Sequence, residues 1–392
     1  MRTWTRRIGT MAMLMLLHVI TFAGDRIAVG LFHGAHHVRA TVTCKSGSFD
    51  VYSGQEMIFS LAQGQQCEIS SASGSLNVYF NQTTTQLKSI ALKPRQPEAQ
   101  IHLQPVGAKS NKRRYGQEIQ ALAYAGRIQF INFLEVEEYV AGVIEAETGS
   151  HQTAEFYKVQ AVISRTYAMN NLHKHRGEGF NVCDAVHCQV YHGIPIHEPK
   201  TVEAANATRD LVIVDHQINM IDATFHSNCG GQTYKANEVW SKDIPHLQNT
   251  EDRYCAQMPH SFWKKTIARK EWDNFINNQR DPIADAKDSL ESAAKALKPQ
   301  YTYDSTLSIS RIEMREAFKL KSVKFNVEIE ADSVRFFGRG YGHGVGLCQE
   351  GAMARANEGI RYQDIIHAYY REVHLVPRYM IWFFKDEESE GD

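Results

Sequence analysis

The chain has 392 residues, 43% of them hydrophobic and 22% charged. That is enough apolar material for a sizeable core and excludes a disordered chain. With 43 Lys and Arg against 44 Asp and Glu, the formal net charge is −1, which gives no basic footprint for nucleic acid or for an anionic membrane surface.

The first element is a leader. Arg2, Arg6 and Arg7 precede an apolar run over 11–23 that ends in Ala23 and Gly24 before charged residues. The run is too short to span a bilayer and has the pattern of a secretory signal peptide cleaved near Ala23; an uncleaved anchor is the alternative. No later run is apolar enough to span, so the expectation is an exported protein, periplasmic or at the cell surface, with no stable membrane span after cleavage. Export permits disulfides. Of the seven cysteines, Cys44 with Cys67 and Cys229 with Cys255 are candidate pairs, and the odd count leaves at least one as a free thiol or metal ligand.

Residues 24–105 read as a strand-rich region of short alternating segments such as RIAVGLF (26–32), FDVYS (49–53) and SLNVYF (75–80). Two more strands, 118–124 and 127–133, are joined at Ala125-Gly126. Apolar spacing predicts helices over 136–146 and 153–173, the second capped by Thr153. A loop rich in His, Gly and Cys follows, then strands over 210–215 and 220–225 with a tight turn between them. Residues 261–299 read as an inserted pair of amphipathic helices broken at Asp281-Pro282. β structure returns over 322–346, a helix pair (349–358 and 362–370) closes the core, and 386–392 is an acidic tail. The fold class is α+β: a strand-rich N-terminal region, a helical core within 106–385, and a C-terminal β region with closing helices.

Four constellations could carry chemistry. In IEAETGS, Glu145 and Glu147 lie about 200° apart around a helix. Glu147 extends the stripe of Val140, Val143 and Ile144, whereas Glu145 follows Glu138 on the polar face. Only Glu147 is expected to be partly desolvated, at a helix C-terminus, and both conditions raise a carboxyl pKa toward that of a general acid; the bland reading is a structural Glu. Cys183, His187 and Cys188 within six residues, with His175 upstream, have the donor set of a closed structural zinc site. A Cys183–Cys188 disulfide is the competing reading, and it would leave His187 without a purpose. GRGYGHGVG (338–346) lacks the marks of a phosphate loop and is either a cleft loop presenting His343 or a tight turn. In FHSNCGGQT (225–233), adjacent His226 and Ser227 cannot readily act as base and nucleophile, but the polar residues suit hydrogen bonding to a sugar.

Five segments in order, LEVEEYVAGVIEAE (134–147), KVQAVISRTYAM (158–169), NVCDAVHCQVYHG (181–193), ATFHSNCGGQT (223–233) and GRGYGHGVGLCQEGAMARANEG (338–359), resemble the stage II sporulation protein D (SpoIID/LytB) family of peptidoglycan lytic transglycosylases and amidase modifiers. With RIAVGLF as the opening strand, the resemblance covers nearly the whole mature chain. It implies Glu147 as the catalytic acid, a structural zinc on Cys183, His187, Cys188 and an upstream His, and a cleft lined by Arg165, Ser227, His343 and Gln349. The sequence departs from the family pattern at Thr148-Gly149, at Cys348 and in the 261–299 stretch.

The implied reaction cleaves the bond between N-acetylmuramic acid and N-acetylglucosamine in peptidoglycan glycan strands, leaving 1,6-anhydro ends. Hydrolysis generally needs two carboxylates, whereas an intramolecular 6-hydroxyl nucleophile lets one suffice. The competing readings are a non-catalytic, glycan-binding partner of a peptidoglycan amidase and a hydrolase with catalytic zinc. Two thiolates in the metal set argue against the last.

Overall fold

The computed structural model describes residues 26–107, 112–240, 242–278 and 310–381. The expected leader, the second helix of the 261–299 stretch and the acidic tail lie outside them.

Alternating short strands build two antiparallel sheets. One runs, in spatial order, Val182–Cys183, Arg26–Leu31, Arg127–Glu135, Glu118–Tyr124, Ser89–Pro94, Ser48–Ser53 and Glu56–Ala62; only the two-residue strand at its edge pairs in parallel. The other runs Arg113–Gly116, Gln100–Pro105, Arg39–Ser46, Gln66–Ala72, Ser75–Phe80 and Thr83–Leu87. Alternate residues point to one shared core: Val42, Ile69, Val78 and Leu103 from the second sheet, Phe49, Leu92 and Ile119 from the first. The expected hairpin at Ala125-Gly126 is present. Both residues have positive φ, 48° and 77°, as a two-residue turn between twisted strands requires. The boundary expected at 105 does not separate two bodies, because strands from both sides of it lie in each sheet.

Two helices pack on this base. α1 (Val136–Thr148) buries Tyr139, Val140, Val143 and Ile144 completely. α2 (Ala154–Asn170) opens where Thr153 accepts the Phe156 amide at its side-chain oxygen, which satisfies an otherwise orphaned donor. α3 (Lys200–Ala207) packs against both. The C-terminal helices Gln349–Asn357 and Tyr362–Tyr369 also dock on α2.

Three expectations differ from the structure. Phe262–Ala268 is a strand, not a helix: it alternates Trp263 and Ile267 inward in a sheet with Ser333–Arg339 and Phe325–Ile329. Arg269–Asn278 is the helix of that segment. Leu211–Val214 pairs along its length with His374–Pro377, while the 220–225 stretch meets it only briefly, through a Val214–Met220 bridge and the Ile221 amide on the Ile213 carbonyl. No cysteine is in a disulfide. Cys44 and Cys67 lie on paired strands but out of step, since Val42 faces Cys67, and Cys44 turns its thiol to the carbonyls of Ser46 and Gly47.

Among the described residues, no helix is long and apolar enough to cross a membrane.

Candidate functional site

Glu147 sits in the last turn of α1, half-buried. The Val190 amide donates to its Oε1 at 2.7 Å, and Oε2 makes no hydrogen bond among the described residues. Burial raises the carboxyl pKa above its ordinary value, and the Val190 bond only partly offsets this. A carboxyl held at one oxygen, desolvated and open at the other has the properties of a proton donor.

Glu145, two residues earlier, has a different task. Its carboxylate accepts the amides of Ile196, His197 and Glu198 at 2.8–3.2 Å, so it is the anchor of a loop and not a bare surface group. Glu145→Gln is expected to lower stability by about 1 kcal/mol, since hydrogen bonds to a charged group are the stronger kind, with little change in activity. Chemical denaturation beside a rate assay checks both.

The loop that supplies Val190 also carries the His/Cys set. His175, Cys183, His187 and Cys188 bring one ligand atom each within 4.8 Å of one another. His175 Nε2 is 3.2 Å from His187 Nδ1 and 3.4 Å from Cys188 Sγ, and His187 Nδ1 is 3.8 Å from each sulfur. A tetrahedron with zinc–nitrogen and zinc–sulfur bonds of ordinary length has edges of about 3.3–3.8 Å. The other nitrogen of His175 meets the Glu178 carboxylate at 2.6 Å, the outer partner that fixes a ligating imidazole's tautomer and orientation. These four residues could therefore hold a tetrahedral metal. Three of them are buried and His187 is exposed.

α2 is the spine of the region. Lys174, just past its end, donates to the His187 carbonyl at 2.7 Å and to Tyr167 at 2.9 Å. Asn170 donates to Ile221 and Asp222, and Gln160 accepts from Gln349 at 3.3 Å. The His/Cys loop, the 221–227 segment and the Gln349 helix thus all hang on one helix.

Ser227, His343 and Gln349 cluster around the parallel pairing of Phe225–His226 with Leu347–Cys348. The Ser227 carbonyl accepts the Glu350 amide. His343 accepts the Val345 amide at Nδ1 and donates from Nε2 to the Phe225 carbonyl at 2.9 Å. Burial lowers its pKa to about 4, so it is neutral at pH 7, and both nitrogens are spent on backbone. His343 thus folds the glycine-rich loop and has no nitrogen left for acid–base work. Gly340, Gly342, Gly344 and Gly346 all have φ between 72° and 108°, and side chains at 342 and 344 would strike His226 and Tyr234. That alternation is why the motif needs glycine at every second position. His226 gives its Nδ1 proton to the Val345 carbonyl, and its buried Nε2 has no hydrogen-bond partner among the described residues, so no serine–histidine dyad forms. Gln349 is 6% exposed and serves as a buried strut. Sequence reading missed Trp240, which is exposed and lies 5.2 Å from the His343 ring, because a lone tryptophan carries no spacing signal. It also missed the Val190 amide, a backbone group that no side-chain motif encodes.

Arg165 does not line a cleft. It is 1% exposed, and its guanidinium is held by a bidentate pair with Glu137 on α1 and by the Leu211 and Ala205 carbonyls. Arg165→Ala would strand the Glu137 carboxylate and should cost about 3–5 kcal/mol. Denaturant midpoints will show the loss, while the fraction that remains folded should keep its activity.

Comparison with known proteins places this geometry in context. The stage II sporulation protein (SpoIID) family model matches residues 124–214, the stretch that carries α1, Glu147, α2 and the His/Cys loop. Stage II sporulation protein D of Bacillus subtilis is 27% identical over 258 residues, 62% of this chain and 75% of that protein. An uncharacterized protein of Brachyspira hyodysenteriae is 28% identical over 278 residues, covering 67% of this chain and 74% of its own length. The amidase enhancer of Bacillus subtilis is 26% identical over 285 residues, 58% of this chain and 39% of that protein. The family match and these relatives agree: residues 124–214 match the stage II sporulation protein family, and the chain is similar to stage II sporulation protein D over most of that protein's length.

Proposed function

We propose that this protein acts on peptidoglycan outside the cytoplasm as a lytic transglycosylase, with Glu147 as its acid and base. The observation that carries the reading is the state of the Glu147 carboxyl: half-buried, held by the Val190 amide at Oε1 and open at Oε2. Protonated Oε2 donates to the oxygen bridging N-acetylmuramic acid and N-acetylglucosamine, and an oxocarbenium-like centre develops at C1. The 6-hydroxyl of the same muramic residue attacks that carbon, and the carboxylate, now a base, takes its proton. Because the nucleophile belongs to the substrate, its proximity replaces a second carboxylate. The products are a free N-acetylglucosamine 4-hydroxyl and a 1,6-anhydro end, with no water consumed.

In the same reading, His175, Cys183, His187 and Cys188 hold one structural zinc. That set is closed, with four protein ligands and no open position for substrate. Its role is mechanical: it fixes the loop whose Val190 amide holds Glu147. The 1–23 leader fits export to where peptidoglycan lies.

The relative named amidase enhancer favours a second reading, a glycan-binding protein that stimulates a peptidoglycan amidase without cleaving. Digestion of purified glycan strands in heavy-oxygen water separates the possibilities. Transglycosylation predicts new ends without label; labelled reducing ends would mean hydrolysis. No new ends, together with a faster amidase, would favour the enhancer.

A further inference from the structure

A second set of soft donors shares no residue with the first. Cys229, Asp252, Cys255 and Cys348 each bring one ligand atom within 4.8 Å of the others, and all four residues are buried. Cys229 Sγ and Cys255 Sγ are 3.4 Å apart, well beyond the ~2.0 Å of a disulfide and near the ~3.7 Å edge of a sulfur tetrahedron around zinc. The Asp252 carboxylate stands 3.7 Å from Cys229 Sγ.

The surroundings are built for negative sulfur. The amides of Cys229 and Gly351 point at Cys348 Sγ at 3.2 and 3.3 Å, and that of Gly231 points at Cys255 Sγ at 3.3 Å. Arg355 lies 3.7 Å from the Asp252 carboxylate, and the Lys324 ammonium rests on the Cys229 carbonyl at 2.9 Å. The Tyr369 hydroxyl donates to Asp252 at 2.7 Å, as an outer partner orients a ligating carboxylate. Gly351 makes this possible, since a side chain there would overlap both the Asp252 carboxylate and the Tyr369 hydroxyl. Neutral thiols bury readily, but a carboxylate converging with three sulfurs that amides face is the donor arrangement a buried cation would neutralise.

We propose that Cys229, Cys255, Cys348 and Asp252 bind one divalent metal of the zinc class, which favours thiolate ligands in a tetrahedron. Each thiol that ligates gives its proton to solvent, and no oxidant is involved. The metal would tie three separated segments: the stretch after Ser227, the short helix Arg253–Gln257, and the start of helix Gln349–Asn357, which Cys348 caps. It would hold the Ser227 and His343 loops as the His/Cys site holds the Glu147 loop.

Native mass spectrometry and elemental analysis of the exported full-length protein, reduced and loaded with excess zinc, test this. Two zinc ions per folded chain are expected, falling to one in Cys348→Ser and in the milder Asp252→Asn. Cobalt substitution should give thiolate-to-cobalt absorption for two sites, with part of the intensity lost in those variants. One metal per folded wild-type chain in excess zinc overturns the proposal, whether or not the variants fold. So does a stoichiometry of two that Cys348→Ser leaves unchanged, or a Cys229–Cys255 disulfide in peptide maps of the unreduced protein.

Discussion

Glu147→Gln is expected to lower glycan cleavage by about 10²–10⁴-fold, the usual range for losing a general acid–base, without loss of the fold. Gln keeps the shape of the side chain and can still accept the Val190 amide, but it has no carboxyl proton to give. The pH dependence follows from burial. The Glu147 pKa lies above its ordinary value, so the proton-donating form survives to higher pH than an exposed Glu would allow. Wild-type cleavage should decline as pH rises through that raised pKa, and the residual activity of the Gln variant should lack that limb. The contribution of Glu147 to stability follows the same pH direction. A carboxyl with a raised folded pKa binds its proton more tightly when folded, so its favourable contribution is complete below the unfolded pKa and is lost as pH rises through the folded one. Glu147→Gln should therefore melt at the same or a higher temperature than wild type at neutral pH, with the advantage vanishing in acid. This is the trade expected of a site that sacrifices stability for chemistry.

Cys183→Ser is expected to remove the metal from the His/Cys site and to destabilise the protein severely. Structural zinc contributes on the order of 10 kcal/mol to the folding of small metal domains, a figure comparable with the whole stability of a domain. The loop it closes joins the edge strand Val182–Cys183 to the Val190 amide, so both the sheet edge and the Glu147 carboxyl lose their restraint. Thermal melts with and without a chelator, alongside metal content, will show the effect. The wild type should lose stability on chelation, and Cys183→Ser should lose less, because the metal of the His/Cys site is already gone. A metal-free wild type that stays fully folded with a Cys183–Cys188 disulfide would refute the site.

The features legible in the sequence were those set by local spacing. Alternation revealed several strands of both large sheets, Arg26–Leu31, Ser75–Phe80 and Arg127–Glu135 among them, and the 3.6-residue period showed that Glu147 and Glu145 face different ways. Cys183, His187 and Cys188 are adjacent in sequence, so their convergence needed no knowledge of the fold. What depended on distant partners was hidden. The polar side of α1 carries Glu145, but the three amides it holds come from a loop some fifty residues later. Arg165 lies in a shared motif, and only the packing of α2 on α1 shows that it is consumed by Glu137. The strand at 262–268 and the partner of Leu211–Val214 were misread because β pairing is set by tertiary context. Cys229, Cys255 and Cys348 suggested a disulfide plus a stray thiol, since the third cysteine arrives from more than ninety residues away in sequence and Asp252 has no spacing that marks it.

The central claim, that Glu147 drives non-hydrolytic cleavage, is tested most directly by the mass of glycan fragments released from purified peptidoglycan by wild type and by Glu147→Gln. Wild type should release fragments lighter by one water than their hydrolysed counterparts, the mark of 1,6-anhydro ends, and the folded Glu147→Gln variant should release almost none. Anhydro fragments released equally by both proteins would contradict the account.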